Sequence, residues 1–333
     1  MMKKILLLLG VVLAGSIPVA QAQLMKVPDY AATLALIKAQ PLVVLLYKEE
    51  PKELRKLAGK PKELAQYRAD VALCNKQLQE YAPKLWHYSP AVVFKPQAEH
   101  EALRKTKGTI TPVLYYVQRK ASQTMAGPMG NRLEEVSFGS EMVANLRFDM
   151  VGDDKDNSFW HGPAPLGGAL SLSDIISSFR ALQSVIDIRA AAADKKEDYR
   201  KVTAAEMLRG INGRALLRTK ILLINRADLD EGLTEADVKK LYPFPCQLVP
   251  MQAIETAVVA GDTRYTYARW LTLAAGEVGP AVIDAATGKI ITQSASKEGI
   301  GKANLKSFAQ TAASAERDAR LTEKLEKIMR ESD

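Results

Sequence analysis

The sequence predicts an α/β protein of two helix-covered mixed-sheet units, each of β-α-β-α-β-β type, flanking a helical middle region. Three observations carry this expectation. Leu42–Tyr47 and Lys220–Asn225 are short runs dominated by apolar β-formers, the pattern of a strand covered on both faces. Each run is followed by helical spacing and then by further short runs, so the strands need crossovers. Between the two repeats, Ile175, Ile176, Phe179, Leu182, Val185, Ile186 and Ala193 form a wide helical stripe able to meet one or both neighbours.

In the first unit, Leu42–Tyr47 is the opening strand. Pro61 precedes a helix to about Tyr81, carrying Leu64, Tyr67, Val71, Cys74 and Leu78 at spacings of three and four. Pro83 closes it, because proline cannot continue the ladder. Ala91–Phe94 reads as a strand, His100–Lys105 as a short helix, Pro112–Val117 as a third strand and Arg132–Phe138 as a fourth. In the middle, Ser171-Leu172-Ser173-Asp174 caps the long helix, Lys195–Tyr199 is a polar joint, and Thr203-x-x-Glu206 opens a short helix.

The second unit repeats the order. After Lys220–Asn225, Thr234-Glu235-Ala236-Asp237 starts a helix in which the threonine oxygen accepts a backbone amide. Cys246–Val249 is a strand, and Gln252–Val259 a helix ended by Gly261. Ala268–Leu273 is the next strand. Ala281–Asp284 and Lys289–Thr292 form a hairpin whose return needs the positive φ of Gly288. Asn304 caps a last helix with Leu305, Phe308, Ala312, Leu321, Leu325 and Ile328. The expected boundaries are 1–22 for a signal peptide, 36–145 for the first α/β unit and 146–214 for a loop with the helical linker. The second unit then spans 215–315, with a helical extension over 316–333.

The order of the second half resembles the thioredoxin fold over roughly Lys220 to Ala312. Gly279–Asp284 and the turn to Gly288-Lys289 are similar to that fold's proline-led strand and hairpin. Where such an enzyme carries C-x-x-C after its first strand, this chain has Arg226-Ala227-Asp228-Leu229, so the resemblance implies a fold without the disulfide chemistry. The same order is similar to small envelope α/β modules of assembly and scaffolding.

Composition and targeting narrow the function classes. Apolar residues make up 47% of the 333-residue chain, the level of a folded protein. Lys3 and Lys4, the apolar run from Ile5 and Ala20-Gln21-Ala22 have the layout of a secretory signal, too short to span a bilayer. Cleavage before Gln23 predicts a periplasmic or secreted protein. It also removes both lysines and takes the formal charge from +8 to +6. That excess is spread along the chain, so nucleic acid is not an expected partner. No later stretch reaches transmembrane length, so no integral span is expected.

No catalytic residue, cofactor or metal is assigned from the sequence. The three histidines lack H-E-x-x-H spacing, and neither G-x-S-x-G nor a phosphate-cradling G-K-S/T occurs. Cys74 and Cys246, without C-x-x-C, read as buried small hydrophobes, with a single disulfide between the halves as the alternative. The carboxylate-rich Asp149–Asn157 has the wrong spacing for an EF-hand and reads as a solvated loop. Contact candidates are Trp160 and His161, expected in a Gly/Pro-rich linker, and Arg264, Tyr265, Tyr267, Arg269 and Trp270 on an extended strand. Tyr, Trp and Arg combine apolar area with directed hydrogen bonds. The functional expectation is a non-catalytic binding, assembly or scaffold protein of the cell envelope, contacting envelope proteins or a small ligand. The alternatives are an envelope enzyme, a hydrolase or a thioredoxin-like derivative, and a small-ligand carrier. A concave pocket holding convergent carboxylates, or a histidine near a nucleophile, would support the enzyme; the carrier needs an apolar cleft between the halves.

Overall fold

A computed structural model describes residues 30–126, 133–162, 164–165, 170–195, 213–272, 278–294 and 299–330. The expected signal peptide with its cleavage site, the body of the joint after Lys195 and the helix start at Thr203 lie outside the described residues.

The chain folds as two mixed sheets, each flanked by helices. In the first lobe, helix α1 (Tyr30–Ala39) leads to β1 (Leu42–Leu46). Helices α2 (Pro51–Leu57) and α3 (Pro61–Leu85) lead to β2 (Val92–Pro96), and α4 (His100–Lys105) to β3 (Thr111–Ala126). Then follow β4 (Leu133–Gly152), β5 (Lys155–His161) and the two-residue β6 (Ala164–Pro165). Helix α5 (Leu172–Lys195) comes next. The second lobe runs α6 (Leu216–Thr219), β7 (Ile221–Asn225), α7 (Glu235–Leu241), β8 (Cys246–Val249), α8 (Met251–Ala260) and β9 (Tyr265–Thr272). It ends with β10 (Val278–Asp284), β11 (Ile290–Gln293) and α9 (Lys302–Arg330).

The two sheets share one topology. The first has the order β2-β1-β3-β4-β5 and the second β8-β7-β9-β10-β11, with β6 pairing to the end of β9. In both, the first three strands are parallel and the last two antiparallel. Reversing direction between the first and second crossovers puts the helices on opposite faces, since right-handed connections leave no other choice. Thus α3 covers one face of the first sheet and α4 the other, as α7 and α8 do in the second.

The long middle helix joins the lobes by packing on both. Ile175, Phe179, Leu182 and Ile186 enter the core between α1, α3 and the first sheet. Ile176 and Leu172 enter the core between α8 and the second sheet, beside Tyr267, Ala281 and Ile283. The helix α9 closes the far side of the second sheet with Leu305, Phe308 and Ala312. Both cysteines are free; Cys74 sits in the first core and Cys246 on the edge strand β8. Burial pushes the Cys74 thiol up to about 12, so it is an inert apolar group.

Three expectations change. The helix α3 runs through Pro83 to Leu85, because a proline in the last turn forfeits only one late hydrogen bond. The fourth strand extends from Leu133 to Gly152, far past the expected Phe138. The stretch expected as a solvated loop is a hairpin: Asp153 and Asp154, both at positive φ, turn β4 tightly into β5. Trp160 and His161 therefore stand on a strand, and the first lobe reaches at least His161 rather than 145.

Candidate functional site

Strand alternation scatters the contact candidates. Trp160 packs in the first core opposite Phe148. Arg264 is exposed, bonded to Asp262 at 2.6 Å and lying over the half-buried Tyr265 ring. Tyr267 is fully buried, and Trp270 is half-buried opposite Pro280. The strand β9 lies inside the second sheet, so its backbone is engaged on both sides. Tyr265, Tyr267 and Arg269 share the face toward α5 and α8, as alternation expects.

Two of these candidates build the seam between the lobes. Ser171 and Asp174 form a capping pair at the start of α5. The Ser171 amide donates to Asp174 Oδ2 at 2.9 Å, and the Asp174 amide to Ser171 Oγ at 3.3 Å. Arg269 then grips the same carboxylate in a fork, Nε to Oδ1 at 3.0 Å and Nη2 to Oδ2 at 2.8 Å. The Asp174 charge holds the Arg269 guanidinium above its usual range despite burial. Tyr267 and Ser177 hydroxyls meet at 2.7 Å. Arg180 donates to the carbonyls of Val258 at 2.6 Å and Ala285 at 2.7 Å, satisfying the C-terminal end of α8 and the adjacent turn. Asp228, at the end of β7, has its carboxyl raised by burial, an effect the nearby Arg269 opposes. Asp174, Ser177, Arg180, Tyr267 and Arg269 find their partners across this seam and lock α5 onto the second sheet, while Asp228 Oδ2 is buried without a hydrogen-bond partner.

A second polar constellation stands on the outer face of the first sheet. Its floor is Val43, Leu45, Val113 and Val151, with Leu103 of α4 packed against them. Tyr115 on β3 donates to Asp149 Oδ2 at 2.6 Å, and Arg147 Nε to Asp149 Oδ1 at 3.0 Å. Asp149 is fully buried, so this pair of donors is what keeps its charge tenable. The Tyr115 hydroxyl is pushed up by burial and then by the neighbouring Asp149 charge. The His100 ring of α4 lies tilted against the Tyr115 ring, 5.0 Å between centroids, and His100 reaches Asp156 at 3.6 Å. The hairpin is tied to α4 as well: Asp153 and Asp154 amides donate to Thr106 and Arg104 carbonyls, and the Gly108 amide donates to Asp153 Oδ1.

A β-bulge completes this face. Arg147 pairs with His161 and Phe148 with Trp160, but Asp149 pairs with Ser158, leaving Phe159 as the extra residue. Three positions apart on a regular strand, Ser158 and His161 would point to opposite faces. The bulge turns them to the same one, and Ser158 Oγ lies 2.7 Å from His161 Nε2. Of the sequence's contact candidates, His161 alone belongs to this cluster; Tyr115, Arg147, Asp149, Ser158 and His100 stand outside that set. A period-two reading of Val113-x-Tyr115 and Arg147-x-Asp149 carries the signal for the first three; the bulge hides Ser158, and His100 comes from the separate helix α4.

The second lobe shows what this face could have been. There, the matching surface of β10 presents Ala281 and Ile283, buried beneath α5 and α8. In the first lobe β4 presents Arg147 and Asp149 instead, and the short α4 supplies the described helical cover. Among the described residues no group of three or more His, Cys, Asp or Glu could hold a metal ion. No described helix is long and apolar enough to cross a membrane. Compared with protein-family models, curated proteins and solved structures, the chain matches none.

Proposed function

We propose that the chain is an exported protein of the cell envelope that binds or assembles other molecules through the outer face of its first sheet. One observation carries this reading. Where the second lobe buries apolar residues of β10 under a helix, the first lobe carries Arg147, Ser158 and His161 at a partly open surface, with the buried Asp149 holding Arg147 in place. Terminal units of stacked architectures need a polar outer face, yet paired charges and hydroxyls on a rigid sheet also supply directed hydrogen bonds to a partner. The seam keeps the two lobes fixed, which suits a scaffold. Export rests on the sequence of residues 1–22.

The test has two arms. Mass analysis of the processed protein is expected to give Gln23 as the first residue; a retained Met1 discards the export reading. Partner capture from envelope extracts is then compared between the native chain, the double variant Arg147→Ala/His161→Ala and the distant variant Arg264→Ala. Capture lost in the double variant alone, with unchanged far-UV circular dichroism, supports the face. Equal capture by all three removes it.

A further inference from the structure

We infer that Ser158 and His161 form a nucleophile and base for acyl-ester chemistry, an activity independent of the binding reading. Two separate observations meet in this pair. Ser158 Oγ and His161 Nε2 stand at 2.7 Å, the separation a general base needs to take a hydroxyl proton. The bulge at Phe159 is what brings them to one face, and bulges at strand edges re-aim side chains in this way. The pair is reachable: His161 is exposed and Ser158 half-buried on the edge strand β5. Arg147 stands directly across the ladder from His161, with Nε held by Asp149. Its guanidinium lies over the Tyr115 ring, 5.9 Å from the centroid, on the same sheet face as Ser158 and His161, and a positive charge on that face favours a developing oxyanion.

The chemistry balances without an added redox partner. His161 Nε2 takes the Ser158 proton as Oγ bonds to the ester carbonyl carbon, and the carbonyl electron pair moves to its oxygen. Collapse of that adduct breaks the carbon–alkoxide bond, and the imidazolium proton passes to the departing alkoxide, leaving an acyl-serine and an alcohol. Water then repeats the sequence, giving the acid and restoring Ser158. The substrate class is a carboxylic ester, whose carbonyl reaches the pair at the open sheet edge.

The processed full-length protein is treated with an alkyl fluorophosphonate, which labels activated serines, and separately with p-nitrophenyl acetate. The expected result is an adduct on Ser158 by mass spectrometry. Its rate of formation should fall on the order of 10²-fold or more in His161→Ala, the usual worth of a general base. His161→Gln keeps a hydrogen-bonding side chain without a base and should be equally inert. Ester hydrolysis should disappear in Ser158→Ala. No adduct, an adduct on another residue, or full reactivity in His161→Gln would overturn the assignment. Should Ser158→Ala fail to fold, Ser158→Cys retains the contact. Its alkylation by iodoacetamide should then be faster with His161 in place than in the Ser158→Cys/His161→Gln double variant, and equal rates again overturn the pair.

Discussion

Arg269 shows how one side chain can read as a binding hot spot and serve as a lock. It lies almost wholly inside the molecule, with its fork on the Asp174 carboxylate. Removing one member of a buried pair strands the other charge, so Arg269→Ala should cost about 3–5 kcal/mol in urea unfolding. Replacing both partners, as in Asp174→Leu/Arg269→Met, should recover most of that loss. If the double variant is as unstable as the single one, the pair is not the source of the effect. The residue types were legible from the sequence and their partners were not. Asp174 lies 95 positions away from Arg269, and only the packing of α5 brings its cap against β9. The pairing of Ser158 with His161 was hidden for a different reason: a single bulge reverses the parity on which face assignments depend.

At the level of elements, the sequence carried more. The apolar runs of β1 and β7, the capping box at Thr234 with Asp237, the Gly261 terminator and the hairpin around Gly288 all stand where local chemistry puts them. The β4–β5 hairpin escaped because its turn uses two aspartates at positive φ, without the glycine that usually marks such a return. Gly288 has two roles that can be separated. Its φ is +68°, and a Cβ there would run into the Ser177 backbone of α5. Gly232 has a φ of +85° with open space around it. Substituting alanine at Gly232 should cost roughly 1–2 kcal/mol, the left-handed penalty alone. Gly288→Ala should lower the melting temperature further, by the displacement of α5. Equal losses at the two sites would mean the hairpin does not press on the seam.

For the whole molecule, α5 is the shared part. Its two faces carry separate apolar sets, Ile175, Phe179, Leu182 and Ile186 for the first core and Ile176 with Leu172 for the second. The second sheet therefore lacks a complete cover of its own. Expressed alone, residues 213–333 would expose Tyr267, Ala281 and Ile283 on one face, a patch that favours self-association. The expected outcome is an aggregated or oligomeric fragment by light scattering. A monomeric, cooperatively melting 213–333 fragment would show that the lobes are energetically independent.

The middle helix also sets an order of events. A chain is made from its N terminus, and domains tend to fold as units as they appear. When Lys195 has emerged, every described strand of the first sheet already exists, and α5 can dock on it before β7 has been synthesised. At that moment Ile176, Ser177 and Arg180 face outward with no partner, because Tyr267, Val258 and Ala285 are still to come. The first lobe thus offers a preformed template, and the second sheet need not find its own inner layer from a disordered state. The same half-finished surface is the interval of greatest exposure in the life of the chain, closed only once β10 has been laid down.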